Sequence, residues 1–259
     1  MDALIGHSGF VGSTLLRQRS FDAMFRSTDI AEISHRSFDT VICAGVPAQK
    51  WIAERDPAAD LDNIKKLAAL LDTINASRFV LISTVDVFAD SRGATEQTPV
   101  KPENLSAYGA NRHWLETFVA GKFSSHQIVR LTGLVGPGLR KNAIFDLHNN
   151  NNLHLIDARG AYQFYPMVNL WSDIEAARRA GLSVVHLAPE PLSVAEVARE
   201  GFGIDFHNHI EGRTPASYDL QTSHAEVLGG QGGYLYSKRE CLMAIRAYAQ
   251  SEPHSAPMA

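Results

Sequence analysis

The stretch Asp2-Ala3-Leu4-Ile5-Gly6-His7-Ser8-Gly9-Phe10-Val11-Gly12 decides how the rest of the chain is read. A short apolar run, Ala3 to Ile5, ends in three glycines at GxxGxxG spacing. A helical pattern, Val11 to Gln18, begins at once behind them. Early glycines allow a tight turn with no Cβ in the way of an approaching group. The helix that follows offers unpaired N–H groups and the positive end of its dipole, which together suit a phosphate. The last glycine lets helix and strand pack closely. Two other loops fail on spacing. A Walker A loop needs Lys after its final glycine, and Ser13 stands there; a nucleophile elbow needs a glycine where Phe10 stands.

Working outward, apolar runs recur at Ala23-Met24-Phe25, Val41-Ile42-Cys43-Ala44, Phe79-Val80-Leu81-Ile82, Ile128-Val129-Arg130-Leu131 and Val184-Val185-His186-Leu187. Such runs suit strands buried on both faces of a parallel sheet. Between them, Leu61, Ile64, Leu67, Leu71 and Ile74 form one stripe of a helix over 60–75. A second helix fits Ala107 to Ala120, with Leu115, Phe118 and Val119 inward. The alternation predicts a doubly wound α/β sheet of Rossmann type, its ligand loops at the carboxyl ends of the strands. Residues 1–188 form the expected dinucleotide-binding domain, with 138–163 contributing to a small substrate lobe made chiefly of 189–259. That last third is richer in glycine, proline and polar residues, with helical stretches at Val194 to Arg199 and Tyr234 to Ala249.

The 259 residues carry a net charge of -4, so nothing in the balance favours nucleic acid or an anionic membrane surface. No apolar run reaches the roughly 18 residues of a membrane span. The start lacks a basic, then apolar, leader pattern. With two cysteines, Cys43 and Cys241, a reduced cytoplasmic protein is expected. His207-Asn208-His209 lacks the further ligands of a metal site, and no metal is expected.

About 20 residues after the first glycine, a dinucleotide-binding unit contacts the adenosine ribose. Arg26 stands there, followed by Ser27 and Thr28, which suits a 2′-phosphate and hence NADP; Asp29 offers the alternative, a ribose acceptor for NAD.

Several segments together resemble the extended, sugar-nucleotide-modifying branch of the short-chain dehydrogenase/reductase superfamily, over most of the chain up to Leu187. They are the glycine loop, Cys43-Ala44-Gly45, Asn63, Ser83-Thr84-Val85-Asp86-Val87-Phe88, Tyr108-Gly109-Ala110-Asn111-Arg112 with Glu116, Arg130 to Pro137, and Leu170-Trp171-Ser172-Asp173-Ile174. In length, and in its Ser-Thr-x-Asp-Val-Phe segment, the chain is nearest to the dTDP-4-dehydrorhamnose reductases. The resemblance implies a nicotinamide cofactor held by Gly6, Ser8, Gly9, Phe10, Val11 and Gly12, by Arg26 and Ser27, by Ala44, Gly45, Asn63 and Ser83, and by Leu131, Gly133 and Leu134. It implies a nucleotide-sugar or similar carbonyl substrate touched by Asp86, and it allows a homodimer. Tyr165 and Trp171 read first as core or lobe-interface aromatics, with stacking on a substrate sugar or base as the alternative, which makes Tyr165 a candidate substrate residue.

The same resemblance names Thr84, Tyr108 and Arg112 as catalytic. A carbonyl being reduced needs a proton at its oxygen, and the reverse reaction needs a base. A tyrosine serves both if its pKa falls from about 10 toward neutrality. A cation at i+4 lies on the same helical face and lowers it. The family has Lys at that position, and this chain has Arg112. Arg keeps the charge but is planar and bulkier, and it hydrogen-bonds differently. A catalytically silent dinucleotide-binding protein is the competing expectation.

Overall fold

The computed structural model describes residues 1–254; residues 255–259, the end of the expected C-terminal lobe, lie outside it. In chain order the main elements are β1 (Asp2–Ile5), α1 (Phe10–Gln18), β2 (Ala23–Phe25), β3 (Ser37–Cys43), α2 (Lys50–Arg55), α3 (Pro57–Asp72), β4 (Asn75–Thr84), α4 (Ala107–Lys122) and β5 (His126–Leu131). They continue as β6 (Gly133–Val135), α5 (Ala143–Asn149), β7 (Ala161–Tyr162), β8 (Phe164–Pro166), α6 (Leu170–Arg179), β9 (Val184–Leu187), β10 (Leu192–Ser193), α7 (Val194–Glu196) and α8 (Lys238–Ser251).

The first compact unit comprises residues 1–91, 96–131 and 170–186. Its sheet runs β2-β1-β3-β4-β5-β9. The β1–β2, β1–β3, β3–β4 and β4–β5 pairs are parallel. Ala3, Leu4, Ile5, Val41, Ile42, Cys43, Phe79, Val80 and Leu81 are each no more than 2% exposed, which is why these strands read as unbroken apolar runs. The order reverses between β1 and β3, so the crevice at a topological switch point lies at their carboxyl ends. A single strand, β2, flanks β1 on the far side, and only a 3-10 turn at Ile30–Ile33 separates it from β3.

Helix α3 starts three residues before the expected Asp60. Asp56 accepts the N–H of Ala59 as a cap, and Pro57 fills the first turn, where its missing N–H costs nothing. The helix ends at Asp72 rather than Asn75 because Asn75 is drawn into β4, opposite Ser37. Its Ile64, Ala68 and Leu71 meet Leu115 and Val119 of α4 in the core, together with Phe79 and Phe123 stacked at 4.2 Å.

The second unit gathers residues 92–95, 132–169 and 187 onward. It takes a longer piece from the middle of the chain than the expected 138–163. Two short sheets, β6 with β8 and β7 with β10, carry it. The stretch expected as a helix from Val194 to Arg199 is a three-residue α-turn with a Ser193/Glu196 capping box, continued as a π-type turn over Val197–Phe202. The final helix begins at Lys238 rather than Tyr234, because Ser237 and Glu240 form a capping box there. Cys43 and Cys241 are both buried free thiols. No helix among the described residues is long and apolar enough to cross a membrane.

Candidate active site

The glycine loop is built by three different demands. Gly6 turns the chain at φ +85°, and a Cβ on it would lie 2.4 Å from the Ala44 carbonyl oxygen. Gly12 lies under the loop, where a Cβ would come within 2.1 Å of the Gly6 carbonyl oxygen. Both are therefore glycine for reasons internal to the fold. Gly9 is different. Its φ of -77° is ordinary, it is exposed, and a Cβ would meet only the Gly6 oxygen at 3.4 Å, a normal contact. The protein itself does not require glycine there. Gly9 is also the N-cap of α1, and no side chain caps that helix. The first N–H groups of the helix have no intrahelical acceptor. Ser8 is exposed beside them, and Phe10 and Val11 are half-buried.

The ends of β1 and β3 crowd together at this loop, since Ala44 donates its N–H to the Ile5 carbonyl at 2.9 Å and a Cβ on Gly45 would strike Ile5. At the end of β2, Arg26 and Ser27 are exposed. The Arg26 guanidinium donates to Thr28 Oγ1 at 3.0 Å, and its backbone N–H donates to Asp29 at 2.6 Å. Arg26 and Asp29, the two alternative readers of the ribose, thus share one small turn. Asn63 sits exposed on α3.

The second cluster forms where β4 ends. Thr84 closes the strand and accepts the Asp86 N–H at 3.1 Å on Oγ1. Helix α4 then packs its first turn against this corner, with its backbone nearly touching. A Cβ on Gly109 would lie 2.0 Å from the Asp86 carbonyl oxygen, so glycine is obligatory there and brings the neighbouring Tyr108 to the strand end. Ser106 caps the helix through the Gly109 N–H. Glu54, at the far end of α2, accepts the Tyr108 N–H at 3.1 Å. Although partial burial opposes it, the Ser106 hydroxyl and the Tyr108 and Ala107 N–H groups hold the Glu54 carboxyl below its ordinary pKa.

Tyr108 is 8% exposed. Burial pushes its phenol above the ordinary tyrosine value; Arg112 pulls the other way, Asp86 adds to the rise, and Lys50 opposes it. The expected net lowering is therefore not what the site shows, because loss of solvent outweighs the cations. Arg112 acts on the phenol in the expected direction, by its charge and by a hydrogen bond, and it has structural partners as well. Its guanidinium grips Asp60 of α3 with both Nη atoms, one of them at 3.0 Å, and donates to the Pro47 carbonyl at 2.5 Å and the Tyr108 carbonyl at 3.3 Å. Its carbon lies 3.8 Å over the Tyr108 ring centre, and its side chain also hydrogen-bonds the phenol. The same charge also pairs with a buried carboxylate. Its Nε has no partner among the described residues.

Two further expectations change. Ser83 donates its hydroxyl to Glu116 at 2.5 Å, within a buried network in which Glu116 also binds Arg130 at 2.7 Å and Arg130 meets His186 at 3.2 Å. That proton is committed to the core rather than to a cofactor. Tyr165, whose two readings are core aromatic and substrate contact, is fully buried in the second unit, its ring edge-on to Tyr236 at 5.8 Å. A ring with no open face cannot stack on a sugar, so Tyr165 is a core residue. Leu131 is buried at the end of β5. Gly133 and Leu134 belong to the second unit, where a Cβ on Gly133 would strike the Gln163 carbonyl in the neighbouring β8 segment.

Lys50, Glu54 and Asp60 were not singled out by the sequence reading. Lys50 Nζ binds Asp86 Oδ1 at 2.7 Å. For Lys50 and Glu54 the sequence signal is charge placement alone, in a stretch with too short an apolar pattern to read; Asp60 is visible only as the start of the helix over 60–75.

No protein-family model matches the sequence, and neither does any curated protein. Solved structures do. An NAD-dependent NDP-hexosamine 5,6-dehydratase involved in tunicamycin biosynthesis superposes with a TM-score of 0.75 at 19% identity, covering 96% of both chains. A dTDP-4-dehydrorhamnose reductase from Clostridium acetobutylicum gives 0.72 at 20% identity over 96% of this chain and 99% of its own. A UDP-glucose 4-epimerase from Thermotoga maritima, bound to UDP-glucose, gives 0.69 at 15% identity over 96% and 98%. This chain has their Rossmann-type fold.

Proposed function

We propose that the chain is an NAD(P)-dependent oxidoreductase or epimerase of the extended short-chain dehydrogenase/reductase kind, acting on a nucleotide sugar or a similar carbonyl compound. The observation that carries the cofactor half is Gly9, a glycine the fold can do without, at an uncapped helix N-terminus in the switch-point crevice. A Cβ there obstructs nothing in the protein but stands in the path of a pyrophosphate. The residues present thus fit a dinucleotide. Gly9 to Gly12 would hold its phosphates, Arg26 and Ser27 a 2′-phosphate, and Ala44 and Gly45 the crevice wall. The neighbouring structures include an NAD-dependent dehydratase and a Pseudomonas aeruginosa protein complexed with NADPH, and NADP is the reading that Arg26 favours.

When bound, the nicotinamide supplies or accepts a hydride. Tyr108 donates a proton to the carbonyl oxygen, or takes one from the alcohol, at its phenolic oxygen. The Thr84 hydroxyl polarises the same oxygen, and Asp86 fixes a substrate hydroxyl. The test is a titration of NADP and NAD against the parent and Gly9→Val, then a panel of nucleotide-sugar ketones followed by cofactor absorbance. Gly9→Val should lose dinucleotide binding and keep its fold. Undiminished binding by that variant overturns the reading. One observation favours a second reading, a silent dinucleotide-binding protein: the Arg112 charge is committed to Asp60. Cofactor binding with no turnover across the panel is its signature.

A further inference from the structure

We propose that Ser83 and Glu116 are positioning residues of this site, a buried tie that holds the end of β4 against α4 and so sets Thr84 opposite Tyr108. The inference rests on the oxidoreductase/epimerase reading and deepens it with two residues that touch neither substrate nor cofactor. Helix α4 meets the chain 83–86 at two points. At the first, the Asp86 carbonyl presses on Gly109 so closely that a Cβ there would lie 2.0 Å from its oxygen. At the second, Ser83 donates its hydroxyl to Glu116 Oε1 at 2.5 Å. Glu116 follows Gly109 by seven residues on the helix, an advance of about 10 Å along its axis. One contact alone is a pivot about which a helix can still tilt. Two contacts that far apart fix it, and Tyr108 stands beside the first of them. Successive side chains of a strand leave it on opposite faces. The Ser83 bond therefore fixes the backbone from which Thr84 springs without engaging the Thr84 hydroxyl.

The tie is itself held rigid. Arg130 of β5 donates to both oxygens of Glu116, at 3.0 Å from Nε and 2.7 Å from Nη2. Its Nη1 meets Nε2 of His186, on β9, at 3.2 Å. The Phe88 ring covers this corner, 5.2 Å from the Arg130 guanidinium carbon and 5.6 Å from the His186 ring. Phe88 in turn closes the 3-10 turn Val85–Val87 that carries Asp86. Helix α4, strands β4, β5 and β9 and the Asp86 turn thus converge on one carboxylate. Ser83, Glu116, Arg130 and His186 are all buried. For stability alone, an apolar set of the same volume would serve as well as a buried ion pair. What a bidentate, hydrogen-bonded network adds is a single fixed geometry, and here that geometry lies directly under the two residues that must meet one substrate oxygen.

Ser83→Ala cuts the tie and leaves the Glu116–Arg130 pair in place. Ser83→Thr keeps the hydroxyl, and Ser83→Cys keeps nearly the size with a weaker donor. The first readout needs no substrate. In protein labelled with fluorotyrosine, the Tyr108 line is identified in the fluorine spectrum by its loss in Tyr108→Phe. That line should shift in Ser83→Ala and move back in the two conservative variants. The second readout is turnover of a nucleotide-sugar ketone that the parent accepts. Ser83→Ala should lose at least about tenfold in kcat with KM within about threefold, since a misplacement of about 1 Å costs on the order of a hundredfold. Ser83→Thr or Ser83→Cys should recover much of the loss. Dinucleotide affinity, by calorimetry, should stay within about twofold throughout. An unmoved Tyr108 line or a parental kcat in Ser83→Ala, or no recovery in either conservative variant, overturns the proposal. So does a loss of about tenfold in dinucleotide affinity, which would make Ser83 a cofactor contact. Failure of the broader reading shows separately, as absent dinucleotide binding by the parent with the fluorine shifts intact.

Discussion

Replacing Arg112 with Met asks what that residue is for. The side chains of Arg112 and Asp60 are 5% and 8% exposed, so their charges meet in a medium that solvates neither well. The substitution keeps much of the apolar stem and removes the guanidinium. Asp60 then retains the Asn111 Nδ2 donor at 2.8 Å as its remaining side-chain partner, and the Pro47 and Tyr108 carbonyls lose a donor. Leaving one member of a buried pair uncompensated costs about 3–5 kcal/mol. For a chain of this size that corresponds to a Tm lower by roughly 6–20 °C. The double variant Asp60→Asn, Arg112→Met removes both charges and should recover most of the loss, giving a coupling of about 2–3 kcal/mol in a double-mutant cycle. Urea unfolding of the four proteins, followed by circular dichroism, measures it. A loss below about 1 kcal/mol for Arg112→Met, or a double variant no more stable than the single, would refute the assignment of Arg112 to the framework.

Arg26→Gln should weaken NADP binding by about tenfold to a hundredfold while leaving NAD nearly unchanged, since a charge-assisted hydrogen bond contributes about 1.5–3 kcal/mol; equal losses for the two cofactors count against a 2′-phosphate contact. Tyr108→Phe should abolish turnover on any nucleotide-sugar ketone the parent accepts, with dinucleotide affinity within about twofold by calorimetry. Glu116 supplies a pH test. Burial opposes its ionisation, but His113, Arg130 and Ser83 together hold its carboxyl below the ordinary value. A depressed folded-state pKa contributes stability above the unfolded value, about 4.3, that is lost as pH falls through the folded one. Glu116→Gln should therefore lower the urea midpoint near neutral pH and flatten its fall at acid pH, and an acid limb as steep as the parent's would contradict this.

The parts of this protein legible in its sequence are those whose cause is local. Residues 2–12 contain a strand, a turn and a helix start, and each glycine that the turn or the packing requires stands within seven residues of the others. The core strands declare themselves because burial on both faces leaves no alternation to misread. Tyr165 shows the limit of that signal. An aromatic in the three-residue strand Phe164–Pro166 has the same neighbours in sequence whether its ring points to solvent or into a core. Helix α2 shows another limit, for six residues carry less than two turns of pattern. Gly109 was visible as part of a motif, yet its reason, the Asp86 carbonyl pressed against it, exists only once β4 and α4 meet.

Arg112 is the most instructive case, because its spacing predicts the tyrosine it meets and not the carboxylate that also holds it. The i+4 relation to Tyr108 does place the guanidinium on the ring, at 3.8 Å. What the spacing cannot contain is Asp60, 52 residues earlier, whose carboxylate fits the guanidinium fork with two bonds. A point-like ammonium at position 112 could not hold both carboxylate oxygens and the Pro47 carbonyl at once, whereas the planar fork does so by geometry. Arg112 is thus understood as half of a pair whose other half is Asp60.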